Sequence, residues 1–211
     1  MTDALLTAEK LLEIDAVKLS TDQPFTWSSG WKSPIYCDNR KILSHPYIRD
    51  FIKSELCNVV FEKFGSAEVI AGVATAGIPW GAMVADQLKL SLVYVRPQPK
   101  AHGLGNQIEG ELKSGQRVVV LEDLISTGKS SLAVIEVLKA QNVSVEGMVS
   151  IFDYDFAATK ELITRAGIIL YSLTNYTSLL ATAQNKGAIS ATQFDLLLKW
   201  RQDPSNWGKA A

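Results

Sequence analysis

Two adjacent carboxylates, Glu122 and Asp123, follow the apolar run Val118-Val119-Val120-Leu121. Leu124 and Ile125 separate them from a short turn, Ser126-Thr127-Gly128-Lys129-Ser130, after which a helical pattern begins. The order reads as a strand, a turn and a helix N-terminus. Backbone N–H groups that open a helix have no partner within it and favour an anion, above all a phosphate. Open α/β sheets collect their ligands at the C-terminal ends of strands, where these acids stand. Bare carboxylates would repel a phosphate beside them. A ribose offers hydroxyls that carboxylates accept, and Mg²⁺ can bridge to a pyrophosphate. The segment therefore suits a phosphorylated sugar, held by its phosphate and its hydroxyls. An ordinary strand–turn–helix is the plain alternative. A P-loop, suggested by Gly128-Lys129-Ser130, fails on spacing, because its first glycine would fall at Asp123.

The elements that must position these groups are legible in the hydrophobic pattern. Leu5, Leu6, Ala8, Leu11, Leu12 and Val17 recur at helical spacing, with Thr2 or Asp3 as a cap. Residues 19–43 read as short strands and turns, and 46–64 as a second helix with one apolar face. From Glu68 strands and helices alternate: strand 69–73, helix 78–88, strand 92–95, a polar loop 97–109, strand 117–121 and helix 129–141. Strand 145–152, helix 156–166, strand 168–171 and a helical segment 176–202 follow, with 203–211 as a surface tail in which Trp207 can pack. This alternation predicts an α/β fold with a parallel sheet covered by helices on both faces.

Composition narrows the class. The chain has 211 residues, 47% of them hydrophobic, enough to bury a full core in one domain. The expected organisation is one domain over 1–211, with a helix and hood region (about 1–65), an α/β core (about 66–175) and a C-terminal helical segment (about 176–211). The net charge is −1, and no basic run argues for nucleic acid. Cys37 and Cys57 form no CxxC pair, read as packing residues, and fit a reducing compartment. No signal peptide and no bilayer-spanning stretch is read, so the expected location is the cytoplasm, with no membrane partner. His45, before Pro46, reads as a helix-start residue.

Three further segments carry chemistry. Arg96-Pro97-Gln98-Pro99-Lys100-Ala101-His102, followed by Gly103 and Gly105, gathers cations and a histidine on a glycine-bearing loop after a strand. Glycines let such a loop move and approach a ligand closely. Gly72-Val73-Ala74-Thr75-Ala76-Gly77-Ile78-Pro79 ends a strand in small residues before a helix. A strand–helix turn without ligand explains it equally well. Phe25-Thr26-Trp27-Ser28-Ser29-Gly30-Trp31-Lys32-Ser33-Pro34-Ile35-Tyr36 alternates aromatic and polar residues. Core packing and ligand stacking are both open for Trp27 and Trp31.

Residues 118–131 resemble the phosphoribosyl-pyrophosphate (PRPP) motif of type I phosphoribosyltransferases. The Ser-Gly-x-x-Ser-Pro-x-Tyr stretch ending at Tyr36 and the loop 96–110 resemble the orotate branch of that family, and the likeness covers nearly the whole chain. It implies the type I phosphoribosyltransferase fold with a small N-terminal α+β hood. It implies transfer of the 5-phosphoribosyl group from PRPP to orotate, giving orotidine 5′-monophosphate and pyrophosphate in pyrimidine (UMP) synthesis. Arg96, Lys100 and His102 would be the catalytic loop cations, reaching pyrophosphate in the neighbouring subunit of a homodimer. Glu122 and Asp123 would hold the ribose hydroxyls, and Leu124, Ile125, Ser126, Thr127, Gly128, Lys129 and Ser130 would wrap the 5′-phosphate. Thr75, Ala76 and Gly77 would contact pyrophosphate, and Ser126 and Tyr36 would contact orotate. Mg²⁺ would be held mainly through substrate, with no protein ligand assigned.

The chain departs from many relatives at Ser28, Ala76 and Pro97, where they carry lysine, and near Asp153, where some carry arginine. Lys129 stands where many have threonine; it either adds charge to the phosphate site or lies in solvent. Lys32 and Arg40 are the candidates for the orotate carboxylate. The rival readings are a phosphoribosyltransferase for another nucleobase and a regulator that binds PRPP without turnover.

Overall fold

The computed structural model describes residues 3–27, 30–98 and 107–207. Asp3 caps the first helix, α1 (Ala4–Glu13), its Oδ1 accepting from the amides of Leu5 and Leu6 at 3.0 and 3.1 Å. Two small antiparallel ribbons follow. β1 (Val17–Leu19) pairs with β4 (Ile35–Cys37), and β2 (Phe25–Thr26) pairs with β3 (Lys32–Ser33). A 3-10 turn (Asn39–Ser44) leads to α2 (Pro46–Lys63), which begins after His45 with proline in its first turn.

The rest is built on strand–helix alternation: β5 (Val69–Val73), α3 (Gly77–Leu88), β6 (Ser91–Val95), β7 (Ile108–Glu109), β8 (Arg117–Ile125) and α4 (Lys129–Lys139). Then come β9 (Ser144–Asp153), α5 (Ala157–Arg165), β10 (Leu170–Asn175), α6 (Tyr176–Asn185) and α7 (Ala191–Gln202). The sheet order is β10-β9-β8-β5-β6-β7, parallel except at β7. The chain moves from β5 to β6 on one side, then returns to place β8 on the other. The strand order therefore reverses between β5 and β8, and a crevice opens at their C-terminal ends.

Alternation along β8 divides the core. Val119 and Leu121 face one layer with Ile70, Val149 and residues of α1, α2, α6 and α7. Val118 and Val120 face the other, with Val134, Ile135 and Leu138 of α4 and Ile163 of α5. Each of these strand residues is fully buried. Removing one such side chain, as in Leu121→Ala, costs about 2–5 kcal/mol.

The sheet differs from the sequence expectation in three places. β8 runs on through both acids to Ile125 instead of ending at Leu121. The last strand is Leu170–Asn175 and not 168–171: Ile168 is buried, but Ile169 is 55% exposed, and pairing with Met148–Asp153 sets the register. The two-residue β7 pairs antiparallel with β6, within the segment read as loop. The helical segment 176–202 is two helices, the second opened by a capping box of Ser190 and Gln193. Trp207 packs partly buried on the core. Among the described residues no helix is long and apolar enough to cross a membrane.

Candidate active site

The turn after β8 is the centre of the site. Gly128 takes a left-handed φ of +71°, and α4 begins at the next residue with no side-chain cap. Its first N–H groups are therefore open to an anion. The turn is braced from α5, where the buried Thr159 hydroxyl donates to the Ser126 carbonyl at 2.6 Å. Lys129 and Ser130 are exposed, while Ser126 and Thr127 are half-buried.

Just upstream, Glu122 is 5% exposed. Its carboxylate accepts from the Asp123 amide at 3.0 Å and from the Ser131 hydroxyl on α4 at 3.2 Å. Burial pushes the Glu122 carboxyl well above the usual carboxylate range, and the negative charge of Asp123 adds to the effect. Burial raises the Asp123 carboxyl as well. A pair in this state gains from incoming donors or cations, which favour the ionised form. Asp123 is the more exposed of the two, and its main-chain oxygen accepts from the side-chain amide of Asn39 at 2.6 Å.

The turn after β5 lies against the same strand. A Cβ on Gly77 would sit 2.5 Å from the Leu121 carbonyl oxygen, and one on Gly72 would sit 2.9 Å from the Gly77 oxygen. Only glycine allows this approach. The peptide between Ala74 and Thr75 is cis. Thr75 is exposed, and Gly77 is the first residue of α3. Thr75, Ala76 and Gly77 thus flank the acid-bearing strand at the reversal of strand order.

A cavity of about 480 Å³ opens beside the β8–α4 turn. Trp27, Trp31, Tyr36 and Tyr154 form aromatic walls; Thr26, Ser126 and Thr127 bring hydroxyls; Cys37 and Leu124 complete the lining. Its volume and its mix of apolar wall and few polar groups suit a small planar ligand. Trp27 and Trp31 stack at 6.2 Å between ring centroids, and both meet the cavity, so packing and lining are not exclusive. Tyr154 meets Trp27 edge-on at 5.0 Å and Trp200 at 6.0 Å, so the wall is continuous with the core. Burial pushes the Cys37 thiol well up, which makes it a packing group and not a nucleophile.

The structure brings Tyr36 and Ser126 to one cavity. Arg96 stands elsewhere, at the end of β6. Its amide donates to the Gln107 oxygen at 2.9 Å, and the Gln107 side chain donates back to the Arg96 oxygen at 3.1 Å. These bonds tie together the two ends of the cation-bearing loop. The guanidinium lies 5.9 Å from the Tyr94 ring centroid, and its buried Nε has no hydrogen-bond partner among the described residues. Lys100 and His102 lie outside the described residues. Asn39, Ser131, Thr159 and Tyr154 were not singled out from the sequence. Asn39 and Tyr154 carry a weak signal, as neighbours of flagged segments, and Ser131 closes the 118–131 segment itself; Thr159 carries none, because it acts from a separate helix.

A phosphoribosyl transferase domain model matches residues 39–161. The orotate phosphoribosyltransferase of Phocaeicola vulgatus is 52% identical over 202 residues, which are 96% of this chain and 95% of that protein. The crystal structure of orotate phosphoribosyltransferase from Aeropyrum pernix superposes with a TM-score of 0.75 at 33% identity, covering 87% of this chain and 99% of that one. The structure of Leishmania donovani UMP synthase gives a TM-score of 0.78 at 28% identity, covering 93% of this chain and 42% of that longer chain.

Proposed function

The chain belongs to the phosphoribosyl transferase domain family, and from that membership we infer that it is an enzyme transferring the 5-phosphoribosyl group from PRPP to orotate. The products are orotidine 5′-monophosphate and pyrophosphate. The observation that carries the reading is the double position of Ser126. It belongs to the turn at the open N-terminus of α4 and also lines the aromatic cavity with Tyr36. One residue thus joins a phosphate-binding element to a base-sized pocket, as a reaction joining ribose to base needs.

In this mechanism the turn 126–130 holds the 5′-phosphate through backbone N–H groups and hydroxyls. Glu122 and Asp123 take the ribose hydroxyls and lie near C1′ as its bond to pyrophosphate loosens and positive charge develops. Thr75, Ala76 and Gly77 offer backbone amides to the pyrophosphate. Tyr36 stacks on the pyrimidine, whose N1 attacks C1′ from the face opposite the leaving group. The protein's work is positioning and charge stabilisation. Arg96, Lys100 and His102 stabilise the departing pyrophosphate, in the neighbouring site of a homodimer.

Among the described residues no three potential ligands cluster to hold a metal. Mg²⁺ would be carried mainly by substrate oxygens, with no protein ligand assigned, because Mg²⁺ uses few carboxylates when phosphates are present. When bound it neutralises pyrophosphate charge. The reading also takes 1–211 as one catalytic domain, with hood, core and C-terminal segment as divided above, working in the cytoplasm.

The test is orotate consumption by absorbance, with PRPP and Mg²⁺, beside parallel reactions with uracil, hypoxanthine and adenine. PRPP-dependent loss of orotate alone is expected. Turnover of another base in its place would overturn the assignment of the cavity, and PRPP binding with no turnover would favour a regulator.

A further inference from the structure

An anionic substituent on the base takes a cationic or amide partner, and the positions where many relatives carry lysine and some carry arginine hold Ser28 and the neighbourhood of Asp153. We propose that Lys32, acting with Thr26, reads the carboxylate of the base. This rests on orotate being the base.

Thr26 lines the cavity. Lys32 lies directly across from it in the β2–β3 ribbon, and its Nζ donates to the Thr26 Oγ1 at 2.8 Å. A hydroxyl that accepts from an ammonium keeps its own proton for another acceptor. The pair therefore presents an O–H donor at the cavity wall with a positive charge behind it. A carboxylate placed at that wall accepts the Thr26 proton and sits beside the Lys32 charge. Lys32 has no acidic partner among the described residues, so its charge is not already satisfied.

The ribbon is fixed independently of any ligand. The buried Trp200 indole N–H donates to the Lys32 main-chain oxygen at 3.2 Å, and the Trp27 amide donates to the Trp31 oxygen at 2.9 Å. The Lys32 backbone is thus placed before substrate arrives.

The other cations near the site are engaged or turned away. Arg40 bonds Asp38 through Nε at 2.6 Å, and its remaining field acts on Tyr36 and Asp123. It thus lies near Tyr36 as well as the acids, with its Nε already held by Asp38. Arg201 binds Asp155 at 3.4 Å and the Thr177 hydroxyl at 2.6 Å. Lys129 lines a different, neighbouring cavity with Asp155 and Arg201.

An exposed cross-strand Lys–Thr bond with no ligand role would be worth little. The two roles separate by experiment. Michaelis constants for orotate and PRPP are measured for the wild type, Lys32→Met and Lys32→Arg. The neutral 6-carboxamide of the same base is measured as a competitor. In Lys32→Met the orotate constant should rise by at least about tenfold, the scale of one charge-assisted contact. The PRPP constant and the inhibition by the carboxamide should stay within about twofold, and Lys32→Arg should recover most of the loss. An orotate constant unchanged in Lys32→Met would overturn the proposal, and so would a parallel loss for orotate and carboxamide. A wild type that does not consume orotate would instead remove the functional reading beneath it.

Discussion

The side-chain amide of Asn39 donates to the main-chain oxygen of Asp123 at 2.6 Å, joining positions 84 residues apart. Asn39 is 1% exposed, and its own oxygen accepts from the Cys37 thiol at 3.3 Å. The N-terminal hood thereby clamps the strand that carries both acids. Asn39→Leu keeps much of the volume but removes the donor. It should cost about 1–3 kcal/mol of stability in a denaturant titration. If the carboxylates hold the ribose as proposed, it should also raise the Michaelis constant for PRPP by roughly tenfold, because they would be misplaced. An unchanged PRPP constant would mean that the acids are positioned by the strand alone.

Thr159 plays the matching part on the other side. Its hydroxyl holds the Ser126 carbonyl, and its methyl would lie 3.0 Å from any Cβ at Gly128. Thr159→Val preserves shape and deletes the bond. Because Ser126 stands both in the turn before α4 and on the cavity wall, the proposed function expects the constants for PRPP and orotate to rise together, by about three- to tenfold. Thr159→Ser should behave as wild type. A rise confined to one substrate would separate the two functions of the turn.

How far the sequence reveals this site depends on the range of the forces involved. The strands and helices around Val69–Val73 and Lys129–Lys139 follow from local periodicity, and so does the turn at Gly128. The pairing of β7 does not, because two residues carry no period. The burial of Glu122 inside β8 was hidden, since a carboxylate normally marks a strand's end; Ser131 and the Asp123 amide make it tolerable there. Tyr36 and Ser126 stand out only through the family resemblance, and their shared cavity with Tyr154 is a product of the sheet order. Asn39 and Thr159 act over 84 and 33 positions, beyond any local pattern.

The approach of Gly77 to β8 gives a sharp steric test. A methyl group there would meet the Leu121 carbonyl oxygen at 2.5 Å, and backbone cannot yield as a side-chain tip does. Gly77→Ala should destabilise the fold by about 1–3 kcal/mol and push the turn away from the acids. Turnover should fall more than stability alone explains, measured at a temperature where the variant is still folded. A variant with normal turnover would show that the turn at 74–77 does not need this contact.

The assignment of the loop cations to a neighbouring subunit is open to complementation. Lys100→Ala and Asp123→Asn should each reduce turnover, Lys100→Ala by at least about 10²-fold. Co-expressed, half of the dimers carry one copy of each, and in these one site has both an intact loop and an intact acid pair. Roughly a quarter of wild-type activity should return, as two-fold symmetry dictates. No recovery would place the loop over its own subunit's site.

Asp153 supplies a pH test that leaves the catalytic groups untouched. It ends β9, is 7% exposed, and accepts from the Asp155 amide at 2.8 Å. Burial raises its carboxyl from the ordinary 3.8 to about 6, against the backbone hydrogen bond that lowers it. A folded value above the unfolded one means that the neutral form is favoured by folding. The contribution is complete below about 4 and is lost as pH rises through about 6. Asp153→Asn keeps an oxygen for the Asp155 amide and never ionises. Its stability should match wild type near pH 4, pull ahead between pH 4 and 6, and level off above pH 7. The gap between 3.8 and about 6 sets a ceiling of about 3 kcal/mol on that gain. Urea titrations of both proteins across this range measure it. A difference that does not change with pH would show that the buried carboxylate is already compensated when ionised, most directly by Lys160, whose charge lowers it.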